Sequence, residues 1–187
     1  MKNNFNYLIK NSFSRPKEVG EQIISLNLSY EIIWSVFIAS ICAHTALIFA
    51  ANAFLFPYDE NVLLFNAPWL FAFFMASVTL AGCITVTWVG QWFAGKANFK
   101  IMLALMSWLQ VIQIFLQVLS YLIAILLSSL VGLSHLFILI WSFWIFVCFV
   151  DAAHQFDNIL KSSFVAFIGS FLAVVLVVLL ISVLGTW

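Results

Sequence analysis

The chain has 187 residues, of which 65% are hydrophobic and only 7% carry a charge, and its formal net charge is zero. An average soluble domain contains about 25% charged and about 45–50% apolar residues. This composition therefore excludes an ordinary water-soluble globule, whose surface needs far more charge, and predicts a protein that folds in lipid. The neutral balance also excludes a nucleic-acid-binding protein, which needs a clustered excess of lysine and arginine.

The first 28 residues form a lead-in in which apolar and basic residues share short segments. Apolar residues recur at helical spacing both before and after Arg15 and Pro16. This pattern predicts one or two short amphipathic helices that lie in the cytoplasmic membrane interface. Ser14 is placed to cap the second of them, with the proline in its first turn. We divide the chain into this lead-in, residues 1–28, and a transmembrane domain, residues 29–187.

Five apolar stretches are long enough to cross a bilayer, which needs about 20 helical residues. The first stretch is too long for the hydrophobic part of a secretory signal peptide. Residues 101–150 contain no Asp, Glu, Lys or Arg. As a single helix they would extend about 75 Å, so they must fold back, and the turn-forming residues at 128–135 predict the bend. The predicted spans are about 32–54, 69–93, 101–127, 134–153 and 164–183.

The basic residues alternate with these spans. Four precede the first span, two lie between the second and third, and one lies between the fourth and fifth. The positive-inside rule therefore predicts a cytoplasmic amino terminus and a carboxyl terminus on the outside. The predicted fold class is an all-α, polytopic bundle of five transmembrane helices. The seven residues are Lys2, Lys10, Arg15, Lys17, Lys96, Lys100 and Lys161.

A few polar side chains fall inside the predicted spans. Gln110, Gln113 and Gln117 lie at i, i+3 and i+7 of the third span, with Tyr121 at i+11, so they share one helical stripe. His44 lies in the middle of the first span, where it could face that stripe. We interpret these groups as hydrogen-bonding partners between helices. The alternative is a small-solute or ion permease that uses the glutamine stripe and the histidine.

The densest polar cluster follows the fourth span. Asp151, His154 and Asn158 would share a face of a continued helix, with Asp157 beside them. We interpret them as solvated helix-end residues. One alternative is a metal site, but the spacing matches no ligand motif and no second histidine is near. The other alternative is a membrane-embedded hydrolase that uses Asp151 and His154.

No catalytic motif accompanies this cluster. The sequence has no GxSG, HExxH, P-loop or GxGxxG motif. Its three cysteines each fall in an apolar run and are interpreted as packing residues. The sequence therefore predicts no catalytic residue, no metal, no cofactor and no enzyme activity.

Three segments resemble the Yip-domain family of Ypt/Rab-interacting membrane proteins, in particular its bacterial branch of short five-span proteins. They are the lead-in around 8–18, the segment 90–113 with its glycine-containing hinge and L-M-S-W-L-Q, and F-V-D-A-A-H-Q-F at 149–156. The last is similar to the family's segment around His-Gly-Phe, but Gln155 stands where the family has glycine. Their order and spacing extend the resemblance over nearly the whole chain.

The resemblance implies a five-span domain with a cytoplasmic amino terminus. Eukaryotic members associate with Rab GTPases and act in vesicle budding and membrane shaping. A bacterial cell lacks that machinery, so this partner does not transfer. The family has no agreed catalytic residues to carry over either.

Our leading hypothesis is a non-enzymatic scaffold that organises the membrane or binds partners in the bacterial inner membrane. Its expected partners are the lipid bilayer and other membrane proteins, without nucleic acid, and homo-oligomerisation stays open. The candidate partner-binding or structural residues are Arg15, Pro16, His44, Gly95, Trp108, Gln110, Gln113, Gln117, Asp151 and His154.

Overall fold

The computed structural model of the chain describes residues 3–54 and 67–184. Within these ranges the chain is helical and contains no strand, which confirms the all-α prediction. Two short helices precede five long ones. The elements are α1 (Asn3–Ser14), α2 (Pro16–Ser25), α3 (Tyr30–Phe54), α4 (Pro68–Trp92), α5 (Phe99–Leu126), a 3-10 turn (Ser128–Leu130), α6 (Val131–His154) and α7 (Ile159–Leu184).

Helices α3 to α7 are each long and apolar enough to cross a membrane, which confirms the five-helix prediction. Their bounds differ from the predicted spans mainly at two starts. Helix α6 begins at Val131 because the bend is only a short 3-10 turn. Helix α7 begins at Ile159 because the Asn158 side chain accepts hydrogen bonds from the next turn. This cap starts the helix before the apolar run from which the span was predicted.

The long helices pack in neighbouring pairs, α4 along α7, α3 along α5, and α5 along α6. Helices α4 and α7 approach closely at Gly169 of α7, where a Cβ would overlap Val86 of α4. At the same place the Thr85 hydroxyl donates a hydrogen bond to the Gly169 carbonyl at 2.7 Å. The small residue and the hydroxyl therefore fix the crossing of α4 and α7, as in other membrane helix pairs.

The lead-in is packed onto the bundle. Helix α2 lies against α6, with Val19 fully buried and the Gly20 backbone against Ala152. The prediction that Ser14 caps α2 was wrong. Ser14 is the last residue of α1, and Arg15 takes the N-cap position without a side-chain cap. The following Pro16 fixes this start because its φ angle suits the first helical position. The division of the chain after residue 28 stays a prediction.

Candidate functional site

Four parts of the chain meet at one end of the bundle, which we call the polar end. They are α2, the α4–α5 loop at 93–98, the last turn of α6, and the α6–α7 loop at 155–158. The backbone N–H of Lys96 donates to the His154 carbonyl at 3.2 Å, which joins the α4–α5 loop to the last turn of α6. The described basic residues all lie in α1, at the N-cap of α2 or within α2, in the α4–α5 loop, or in the first turns of α5 and α7. They are Lys10, Arg15, Lys17, Lys96, Lys100 and Lys161.

Asp151 is the hub of the polar end. Its side chain is only 4% exposed, and Lys17 of α2 places its ammonium 2.8 Å from Oδ2. Oδ1 accepts a hydrogen bond from the Ser162 hydroxyl at 2.7 Å and one from the Asn158 N–H at 3.3 Å. One buried carboxylate therefore binds α2, the α6–α7 loop and the first turn of α7 together. A buried carboxylate needs such partners because burial of an isolated charge is unfavourable.

Lys17 joins two carboxylates that differ in exposure. Besides Asp151, its Nζ lies 2.6 Å from Oδ1 of Asp157, whose side chain is 82% exposed. The hydrogen bonds from Lys17 to Asp151 and to Asp157 raise the pKa of the lysine above its ordinary value. The lysine therefore stays charged across the physiological range. The contact links residues 140 positions apart in the chain.

A small polar cavity lies beside this ion pair. Its volume is about 280 Å³, and it opens between α2 and the α6–α7 loop. Three carboxylates and one ammonium line it, together with the apolar side chains of Ile24 and Ala152. Its lining is therefore mainly polar. The polar lining residues are Lys17, Glu21, Asp151, Gln155 and Asp157.

His154 is the last residue of α6, and its side chain is buried. It is 1% exposed, and its ring stacks on Phe156 with the two centroids 5.0 Å apart. A Cβ added at Gly90 or Gly95 would overlap this ring, so both glycines make room for it. Neither ring nitrogen has a hydrogen-bond partner within the described ranges. The Val86 backbone lies near the ring, but it does not meet the distance and angle of a hydrogen bond.

The interpretation of Asp151 and His154 as solvated helix-end residues was wrong, because both are buried. It fits Asp157 and Asn158, which are exposed. The predicted continuation of the helix was also wrong. Helix α6 ends at His154, and Gln155 turns the chain with a left-handed φ of 56°. Asn158 therefore caps α7 instead of extending α6.

The glutamine stripe is only partly buried between helices. Gln110 is 7% exposed and bridges three helices. It accepts a hydrogen bond from the Ser40 hydroxyl of α3 at 2.7 Å and donates one to Thr79 Oγ1 of α4 at 3.0 Å. Gln113 and Gln117 are half-buried. The geometry of Gln110 is that of a bond between helices.

His44, the other polar group of the first span, is also half-buried. It does not bond Gln110, whose described partners lie one turn away in α3 and across in α4. The structure thus does not bring the predicted histidine and glutamine together.

The remaining candidate residues lie in different surroundings. Arg15 is exposed and pairs weakly with Glu18 at 3.5 Å, whereas Pro16 is buried. Trp108 of α5 donates from its indole nitrogen to the Ser12 hydroxyl of α1 at 3.0 Å. It therefore holds α1 in the way that Asp151 holds α2.

Sequence reasoning missed the roles of Lys17, Gly20 and Ser162. In the sequence, Lys17 is a marker of membrane topology and part of the lead-in resemblance, and nothing there indicates its ion pairs. Gly20 is buried against α6, and Ser162 is fully buried against Asp151. A glycine within a short amphipathic helix was the one local indication of a close helix contact.

Asp151 and His154 do not form an acid–base pair in the described part of the chain. Asp151 uses its oxygens on a lysine, a hydroxyl and a backbone N–H, and His154 does not bond to it. A general base must lie within hydrogen-bond reach of the group that it activates. Across residues 3–54 and 67–184, no three His, Cys, Asp or Glu side chains form a group that could hold a metal ion.

One comparison with known proteins gives a match. The family model of the Yip1 domain matches residues 10–184, which include α2 and all five long helices. No curated protein and no solved structure matches the chain.

Proposed function

The chain belongs to the Yip1 domain family, and from this membership and its polar end we propose that it is a non-enzymatic scaffold of the membrane. It is an integral membrane protein with five helices that can span the bilayer. In this proposal, α1 and α2 form a platform that binds other membrane proteins, while the five long helices hold that platform at the bilayer surface.

The observation that carries the proposal is the ion pair between Lys17 and buried Asp151, at 2.8 Å. Together with the packing of Gly20 on Ala152, it holds α2 in one position on the bundle. A surface that is already ordered loses less conformational entropy when a partner binds. Glu18 and Glu21 stay exposed on this helix, and Tyr7 stays 47% exposed on α1. The platform therefore offers polar and aromatic groups without needing to fold.

The distribution of basic residues indicates on which side of the membrane the platform lies. The described lysines and arginine lie at the platform end of the bundle, and the positive-inside rule favours the cytoplasm for such an end. We therefore propose that the polar end is cytoplasmic and that the carboxyl terminus is outside. From the resemblance to the bacterial branch of the family we also propose that the membrane is the bacterial inner membrane.

The two rival functions find less support. A permease that uses the glutamine stripe needs an open polar path, but the amide of Gln110 is buried and bonded within the bundle. A hydrolase needs an acid–base pair, but Asp151 and His154 do not contact each other through a hydrogen bond in the described part. A binding role requires neither feature.

The test is site-specific photocrosslinking in cells. A photoreactive amino acid replaces Tyr7 or Glu18 in the tagged full-length chain, and a control chain carries it at Leu180, which is exposed on the apolar face of α7. We expect discrete protein adducts from the two platform positions that the control position does not give. Reciprocal tagging of the captured protein should recover the same adduct. Platform positions that give only lipid adducts, or the same adducts as Leu180, would overturn the proposal.

A deletion gives a second test. Removal of residues 1–28 should abolish recovery of the captured protein from detergent-solubilised membranes. Unchanged recovery by a deletion variant that still inserts into the membrane would remove the platform from the proposal.

A further inference from the structure

A partly open apolar cavity lies beneath the platform, between α1, α2, α3 and α5. Its volume is about 370 Å³, within the range of pockets that bind small ligands. The α5 wall is formed by Ala104, Ser107, Trp108 and Val111. These residues lie at i, i+3, i+4 and i+7, so they form one stripe that extends about 10 Å along the helix. The α5 wall of the cavity thus covers about two turns of that helix.

The cavity offers almost no polar group to an occupant. The Ser107 hydroxyl donates to the Leu103 carbonyl at 2.7 Å, within its own helix. The Trp108 indole nitrogen donates to the Ser12 hydroxyl at 3.0 Å. The other lining residues are aliphatic. A polar ligand would lose its hydrogen bonds to water without replacement, so the part of a ligand inside the cavity should be hydrocarbon.

A cation lies beside the same cavity. Leu26 and Leu28 form part of its wall, and Asn27 between them accepts a hydrogen bond from Lys100 Nζ at 3.1 Å. The Lys100 ammonium also lies 5.5 Å from the centre of the Tyr30 ring. Lys100 is the second residue of α5, so it lies at the level where that apolar helix begins. An ammonium at this level is placed to bind an anionic lipid headgroup.

We propose that this cavity binds one acyl chain of an anionic phospholipid, whose phosphate contacts Lys100. The bilayer itself supplies the occupant, because α3 and α5 form two of the walls and continue into the membrane. The larger groove between α4 and α7, about 670 Å³, is lined by apolar side chains and one threonine, without a cation. It therefore lacks the charge that selects an anionic lipid. The site is separate from the partner-binding proposal, since it lies on the inner side of the platform.

The test uses two lipid probes in phosphatidylcholine vesicles that contain the full-length protein. One probe is phosphatidylglycerol with a photoactivatable diazirine in one acyl chain, and the other is phosphatidylcholine with the same chain. After illumination, peptide mass spectrometry locates the adducts. We expect the phosphatidylglycerol probe to label residues 23–36 and 104–111 more strongly than the phosphatidylcholine probe does. Even labelling of all five long helices by both probes would overturn the proposal.

Two variants with matched controls separate the headgroup from the chain. Lys100→Gln should lower labelling by the phosphatidylglycerol probe about fivefold, which corresponds to about 1 kcal/mol for one basic residue at a membrane surface. Lys96→Gln, which removes an exposed lysine of the α4–α5 loop, should leave it unchanged. Ala104→Phe should fill the cavity and remove its adducts, whereas Val118→Phe, farther along α5, should retain them.

Each outcome bears on one part of the proposal. Equal labelling by the two probes, or no effect of Lys100→Gln, would overturn the anionic headgroup. Cavity adducts that persist in the Ala104→Phe variant would overturn the acyl-chain site. Protein adducts formed from Tyr7 in the earlier experiment do not depend on either result, so the two proposals can fail separately.

Discussion

Replacement of Lys17 by methionine should destabilise the protein through the carboxylate that it leaves behind. Asp151 is buried, and loss of the ammonium leaves it with only Ser162 and the Asn158 N–H as donors. Removal of one partner of a fully buried ion pair destabilises by about 3–5 kcal/mol. The side chain of Lys17 is 36% exposed, and solvent screening reduces the effect of such a pair. We therefore expect Lys17→Met to lower the free energy of unfolding by about 2 kcal/mol.

A second substitution should partly reverse this loss. In Lys17→Met/Asp151→Asn the buried charge is absent, and the asparagine oxygen still accepts from the serine hydroxyl. The double variant should therefore be more stable than Lys17→Met alone by about 1 kcal/mol. Arg15→Met is the control, because its ion pair is 3.5 Å long and both side chains are more than half exposed. It should change stability by less than about 0.5 kcal/mol.

The assay is chemical unfolding in mixed detergent micelles followed by tryptophan fluorescence, with protease protection of residues 1–28 as a local readout. A double variant less stable than Lys17→Met, or a lysine variant equal to the arginine control, would refute the reasoning.

The pH dependence of the Lys17 ion pair gives a further check. Because the folded-state pKa of Lys17 is raised, its contribution is fully present below the unfolded pKa of about 10.4. It should be lost only as the pH rises above that value and through the folded pKa, so protease protection should not change between neutral pH and about pH 10.

Three further predictions concern other positions. Gln155→Gly should stabilise the protein by about 0.5–1 kcal/mol in the same unfolding assay, because glycine adopts its φ of 56° without strain; a loss of stability would contradict this. Gly90→Ala should lower the free energy of unfolding by more than about 2 kcal/mol, because the new Cβ overlaps the His154 ring. Gly132→Ala is the control, because a Cβ there meets open space, and it should not destabilise the protein. Similar losses in both variants would refute the packing argument. Gln110→Leu should destabilise by about 1 kcal/mol through loss of its bonds to α3 and α4, and an unchanged midpoint would show that these bonds contribute nothing.

The long helices could be predicted because their stretches are apolar over the length of a bilayer. The start of α7 could not be predicted from hydropathy, because Asn158 caps a first turn that contains Lys161 and Ser162. The sequence also could not predict how each long helix is rotated about its own axis. Apolar residues surround each long helix, so the sequence could not show that Gln110 faces Ser40 and Thr79 rather than His44.

The polar end shows the limit of local reasoning most clearly. Asp151 and His154 follow an apolar run and precede polar residues, a pattern typical of a solvated helix end. Asp151 is buried where Lys17 of α2 contacts it, and His154 is buried against Gly95 and Lys96 of the α4–α5 loop. Both covering elements come from distant parts of the chain. Gln155, where the resemblance led us to expect glycine, occupies a left-handed position that favours glycine.

Cysteine labelling in intact cells tests most directly whether the polar end of the bundle lies on the cytoplasmic side of the membrane. In a chain whose three native cysteines are replaced, single cysteines are placed at Lys96, Lys161 or His135. The first two positions lie at the polar end, and the third lies near the start of α6 at the opposite end of the bundle. We predict that a membrane-impermeant maleimide labels position 135 in intact cells and labels 96 and 161 only after permeabilisation. Labelling of 96 and 161 from opposite compartments, or of both from outside, would contradict a cytoplasmic polar end.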